Sequence, residues 1–192
     1  MFYDKELSFF RNFIENCKIK TSIITPETTP ENLDSGIRQL LGLEDDYKKT
    51  FYISQLEENT VLFLQDIFSC RYFFIPLPEQ TKKTALVVGP YISKLVSNDE
   101  IEEKAITFSL SASIIRNIRK YFMVVPYIPD DSYISVAVNC LCEKLYGSLN
   151  NFKIKTERKE ELNDLSVLIT GKKHDDNDSP LISIQMIEKA YE

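Results

Sequence analysis

Asp66, Arg71 and Tyr72 stand close together near the turn that joins the first two of three runs that read as strands, and Phe74 and Tyr91 follow on the second and third. A carboxylate and a guanidinium near one hairpin turn can form a surface ion pair, worth about 0–1 kcal/mol. The same residues allow a second reading. Tyr72, Phe74 and Tyr91 can face a helix-lined pocket, with Asp66 and Arg71 as its polar groups. Aromatic walls carrying a few polar groups suit a small organic ligand. The chain has no tryptophan, so its 10 tyrosines and 12 phenylalanines must also build the ordinary core.

Other reactive residue types lack partners. His174 is the single histidine and lies in a polar stretch, with no companion for a triad or a zinc site. The sequence has no nucleophile elbow and no glycine-rich phosphate loop, and its 5 glycines are too few to build one. Asp45-Asp46 and Asp130-Asp131 fall where helices begin, and Asp175-Asp176 falls in a loop, so capping and solvation account for them. Cys17, Cys70, Cys140 and Cys142 have no metal-binding spacing and read as buried free thiols. No metal, cofactor or enzymatic role is expected.

The elements that must position these residues alternate between helix and strand. Asp4 can cap a helix carrying Leu7, Phe10, Ile14 and Cys17 on one stripe. Residues 18–31 contain Thr25-Pro26 and Thr29-Pro30 and favour extended chain. Asn32 or Asp34 starts a short helix that ends at Gly42, and Asp45-Asp46 open another to about Glu57. The three strands are residues 60–68, 70–78 and 84–92, with Pro76 and Pro78 at the end of the second. Alternation in the second is weak, so both faces of the sheet should be covered. Helices would cover one face, and a further layer or a second subunit the other.

Ser97 and Glu100 form a capping box for the next helix, which pauses near Thr107 and resumes from Ser111 to Phe122. Arg116, Arg119 and Lys120 give that second part a basic edge. No tight glycine turn precedes it, so it reads as a packed helix rather than a DNA-recognition helix. The clearest helix begins at Asp130 or Asp131 and ends at Gly147. Tyr133, Val136, Ala137, Cys140, Leu141, Lys144 and Leu145 mark its apolar stripe. Residues 152–156 alternate as an edge strand does, with lysines discouraging further pairing. Residues 171–179 hold no apolar side chain and read as a linker, and 180–192 as the start of a final helix.

With 192 residues, 43% of them hydrophobic, the chain can bury a substantial core without disulfides. Its net charge of −6 repels phosphate, which argues against nucleic-acid binding by the chain as a whole. The amino terminus is no signal peptide and no apolar run is long enough to span a bilayer, so a cytoplasmic protein with no membrane contact is expected.

Several short motifs resemble the amino-terminal region of AraC-family bacterial transcription regulators. They are Asp34-Ser35-Gly36-Ile37-Arg38 with Leu41-Gly42, then Asp66-x-Phe68-x-Cys70-x-Tyr72, Leu77-Pro78 and Gly89-Pro90-Tyr91. Tyr121-Phe122 before Val125-Pro126, and the closing Ile187-Glu188-Lys189-Ala190-Tyr191-Glu192, complete the series. The resemblance implies an α/β (α+β) fold, a GAF- or PAS-like antiparallel sheet with helices packed on it, over residues 1–170. It implies a sensor that binds a small metabolite or sugar derivative and forms a homodimer. DNA would be read only by a carboxyl-terminal pair of helix-turn-helix units beyond residue 192. The alternative is an interaction or dimerisation module with no small-molecule ligand.

Overall fold

A computed structural model describes residues 3–28, 33–40, 56–78, 82–107 and 110–158. The helix expected near 45–57, the linker at 171–179 and the helix at 180–192 fall wholly or largely outside these residues. The described elements are α1 (Asp4–Asn16), β1 (Thr21–Ile24), α2 (Ile37–Leu40), β2 (Thr60–Gln65), β3 (Arg71–Leu77) and β4 (Thr84–Tyr91). After them come α3 (Asn98–Thr107), α4 (Ala112–Val124), α5 (Ser132–Tyr146), a 3-10 turn at Leu149–Asn151 and β5 (Lys153–Arg158).

The strands form one five-stranded sheet in the order β1-β4-β3-β2-β5. β2, β3 and β4 are the expected antiparallel meander, and β1 adds antiparallel to β4. β5 takes the edge position that its lysines suggested, but it runs parallel to β2, with Thr60 opposite Lys153 and Gln65 opposite Arg158. The sheet is therefore mixed, which corrects the expectation of an all-antiparallel one. The helices α3–α5 carry the chain back across the sheet between β4 and β5, and such a crossover allows parallel pairing. The class is α+β, as expected.

Strand alternation sends side chains to two cores. Leu64, Tyr72, Phe74, Ala85 and Val87 pack with Ile37, Ile101, Ile118 and Tyr121 of α2, α3 and α4. Val61, Phe73, Ile75, Leu86 and Val88 pack with Leu7, Phe10 and Ile14 of α1 and Ile134, Val138 and Leu141 of α5. Every residue of β4 is buried. Helices of the same chain thus cover both faces, so no second subunit is needed to shield the sheet. This agrees with the double-sided burial expected, and of the two alternatives for the second face it is a further layer of the same chain, not a second subunit, that covers it.

Local signals account for most boundaries. Ser97 Oγ accepts from Glu100 N at 3.1 Å and Glu100 Oε2 accepts from Ser97 N at 2.8 Å, so the capping box at α3 is formed. Ser111 Oγ caps α4, accepting from Ile114 N. Gly147 closes α5 in the left-handed region at φ 88°, with its N–H on Glu143 O. Asp4 is not a cap: Tyr3 precedes the helix, and Asp4 and Glu6 occupy its first turn, where they complement the helix dipole.

The buried stripe of α5 differs from the one expected. It consists of Ile134, Val138, Leu141, Cys142 and Leu145, whereas Tyr133, Val136 and Cys140 are exposed. This helix carries apolar residues around most of its circumference, so periodicity alone left its rotation ambiguous. Cys140 is accordingly not a buried thiol, and Cys17 is only half-buried.

Candidate functional site

The polar motif residues converge on one buried network. Asp34 precedes α2 and its carboxylate accepts from Gly36 N at 2.9 Å and Arg38 N at 3.2 Å, an Asx arrangement that starts the helix. The same carboxylate takes Arg38 Nη1 at 2.9 Å, and that nitrogen also donates to Asp66 Oδ2 at 3.2 Å. Asp66 ends β2. Its Oδ1 accepts from Phe68 N and Cys70 N, each at 2.9 Å, so the carboxylate is wrapped by its own turn. Ser69 completes that turn at positive φ, 61°. Tyr72 donates its hydroxyl to Asp66 Oδ2 at 3.2 Å. Cys70 Sγ lies 3.0 Å from Tyr121 Oη of α4, which ties the turn to the overlying helix. The Phe68 ring lies beneath Arg38, 5.1 Å from centroid to guanidinium carbon.

Asp34, Arg38 and Asp66 are all buried, and two carboxylates share one guanidinium. Burial pushes the Asp66 carboxyl above its usual range, opposed by Arg38 and the two amides. Burial, reinforced by Asp66, also pushes the Cys70 thiol and the Tyr72 hydroxyl well up. Burial and then Cys70 do the same to Tyr121. The Cys70 thiol and the Tyr72 and Tyr121 hydroxyls therefore stay protonated near neutral pH. They work as hydrogen-bond partners rather than as nucleophiles or bases.

Of the residues singled out from sequence, Asp66 and Arg71 do not pair. Asp66 is buried against Arg38, whereas Arg71 Nη1 reaches Asp131 Oδ2 at 2.7 Å ahead of α5. The surface ion pair between them is thereby corrected. Tyr91 joins the second group, donating its hydroxyl to Asp131 Oδ2 at 2.9 Å. Burial and then Asp131 raise that hydroxyl's pKa.

Tyr72 and Phe74 face α2 and α4, but Tyr91 faces α1 and α5. The three rings cannot wall one pocket, and all three are packed. The reason is a β-bulge. β3 and β4 pair Phe73 with Val88 and Arg71 with Tyr91, so one extra β4 residue lies between the pairs. Strict alternation would put Tyr91 on the side of Ala85 and Val87, and the bulge turns it to the other. Gly89 makes this possible: its φ is +131°, and a Cβ there would fall 2.6 Å from Arg71 O.

A cleft of about 360 Å³ opens instead at the end of the sheet, between the 66–70 turn, the segment after β4, α3 and α4. Phe68, Val96, Ile101, Leu110, Ile118 and Phe122 supply its apolar wall. Gln65, Ser69, Ser93, Arg71, Lys94, Glu100 and Arg158 supply the polar rim. Arg71 is thus the one residue of the sequence-predicted set that lines it. Phe68 forms part of the wall and also contacts Arg38 and Tyr121, the latter ring at 6.4 Å, so wall and buried network touch.

Sequence reasoning missed Asp34 and Arg38 as partners of Asp66, and Asp131 as the partner of Arg71 and Tyr91. The spacing of Asp34 and Arg38 by four residues was the available signal. Nothing in the sequence marks a guanidinium as buried. Among the described residues no cluster of three or more histidine, cysteine or acidic side chains can hold a metal, and no helix is long and apolar enough to cross a membrane. Compared with known protein families, curated proteins and solved structures, the chain matches none of them.

Proposed function

We propose that this chain is the ligand-sensing and dimerisation part of a cytoplasmic transcription regulator of AraC type, with a GAF- or PAS-like sensor fold. A small-molecule effector would bind in the cleft and DNA would be read by a carboxyl-terminal domain beyond residue 192. The observation that carries this reading is the contact between cleft and buried network through Phe68. A ligand against Phe68 presses on a group that joins α2, the 66–70 turn and α4 through Arg38, Asp66, Cys70 and Tyr121. It would shift the helices only by the difference in its affinity for their two arrangements. The cleft's volume lies within the range of small-molecule sites.

A thermal-shift screen of the protein against a panel of metabolites tests the reading. A ligand that binds only the native state at about 100 times its Kd adds about 2.7 kcal/mol of stability. A rise in Tm that Val96→Trp abolishes is the expected result. A panel producing no such shift removes the sensor reading. The gene's continuation supplies a second test, because two helix-turn-helix patterns after Glu192 are required.

A protein-interaction module with no ligand is the second reading, favoured by an apolar groove between α1 and α5. Phe9, Phe13, Ala137 and Cys140 line the groove, and Phe9 is 76% exposed. Sedimentation velocity of the protein and of Phe9→Glu, taken together with the thermal-shift screen, separates the two readings. Self-association lost in the variant, with no thermal shift from any metabolite, would select the second.

A further inference from the structure

The chemistry of the cleft narrows what it can hold, an inference that rests on the sensor reading above. The chain carries a net charge of −6, yet among the described residues three cationic ones, Arg71, Lys94 and Arg158, line the cleft against one acidic residue, Glu100. Glu100 is engaged: Lys94 Nζ lies 2.7 Å from its Oε1, and its Oε2 takes Ser97 N. Arg71 is neutralised by Asp131. Arg158 has no carboxylate within ion-pair distance among the described residues.

Arg71, Gln65 and Arg158 are also register partners across β3, β2 and β5. Two guanidinium-bearing residues therefore flank one amide at the end of the sheet. The same cleft is lined by the apolar side chains of Phe68, Ile101, Ile118 and Phe122. A neutral sugar would leave that wall unused and find few neutral hydrogen-bond groups, chiefly Gln65, Ser69 and Ser93.

We infer that the cleft binds an organic acid with an apolar body, its anionic group held at the Arg158 rim and its body against the Phe68–Phe122 wall. A planar guanidinium matches a carboxylate, sulfonate or phosphate through paired N–H donors. The net acidity of the chain makes this cationic spot selective, because an anion is drawn to Arg158 while the molecule as a whole repels it.

Two dyes with nearly the same aromatic body test this on the full chain. 1-Anilinonaphthalene-8-sulfonate carries a sulfonate, and N-phenyl-1-naphthylamine carries none. Their fluorescence is titrated against the wild type, Arg158→Gln and Val96→Trp. Arg158 is exposed, so its replacement leaves the fold intact. The expected result is a roughly fivefold to tenfold weaker affinity for the sulfonate in Arg158→Gln, with the neutral dye unchanged. Val96→Trp should remove the cleft component of both, and Ser93→Phe serves where the indole disturbs folding, as circular dichroism would show. Equal effects of Arg158→Gln on the two dyes, or none on either, overturn the acid assignment while leaving a ligand cleft in place. Dye binding that ignores the cleft-filling variants overturns it as well and removes the sensor reading with it. The α1–α5 groove would then be the dye site.

Discussion

Arg38 is a charge held away from water by two carboxylates, Asp34 and Asp66, and by the Phe68 ring. Such a cluster is a poor source of net stability, because desolvating three ions offsets most of their attraction. Breaking it is another matter. Arg38→Met leaves both acids buried without their cation, and the expected cost is about 3–5 kcal/mol, read as a lower urea midpoint. Asp66→Asn is milder, since Asp34 still neutralises Arg38. Its effect depends on pH with a definite sign. Burial raises the native pKa of Asp66 above its unfolded value of 3.8, so the folded state holds that proton more tightly. The stabilisation is complete below pH 3.8 and is lost as pH rises through the native value. The asparagine variant lacks this slope, so the stability gap between it and the wild type should narrow as pH rises from 4. Urea midpoints of both proteins between pH 4 and 8 check this, and a widening gap would refute the assignment.

At the level of elements, helix ends obey local chemistry. Ser97→Ala removes one half of the capping box and should cost about 1 kcal/mol. Glu100, the other half, has its carboxyl held down to about 2 by Lys94 and the Ser97 backbone. Its contribution is present above its unfolded value of 4.5 and disappears as pH falls toward 2. Thermal melts of Glu100→Gln should therefore differ from wild type at pH 7 and coincide with it near pH 2. These devices, the three meander strands and the β5 edge were legible because each is written in neighbouring residues. The parallel pairing of β5 was not, because the choice of a partner as distant in the chain as Thr60 is from Lys153 leaves no local trace. The Tyr91 side chain was misplaced for a related reason. Period-two alternation holds until a bulge, and Gly89-Pro90 reads equally well as a strand interruption or as a bulge. The Tyr91–Asp131 contact depends on that bulge, and the Arg71–Asp131 contact on where α5 begins, so both were beyond local reasoning.

Over the whole molecule, the two apolar layers share one sheet. Phe74 of β3 faces the α2–α4 layer while its neighbours Phe73 and Ile75 face α1 and α5. Loosening either layer therefore exposes the other side of the same strands, and the described residues should unfold as a single cooperative unit. Ile37 and Ile134 offer a matched pair of probes, one in each layer and both fully buried. Ile37→Ala and Ile134→Ala should each cost about 2–5 kcal/mol through lost transfer energy and the cavity left behind. Each should lower the urea midpoint of far-UV circular dichroism and of tyrosine fluorescence by the same amount. Tyrosine emission suits the purpose because the chain has no tryptophan, and Tyr121 and Tyr91 report from opposite layers. A variant that displaced one signal's transition and left the other in place would mean that the described residues do not unfold in a single step. Coincident transitions would leave α2, the 66–70 turn and α4 as one mechanical body, as coupling of the cleft to any attached domain requires.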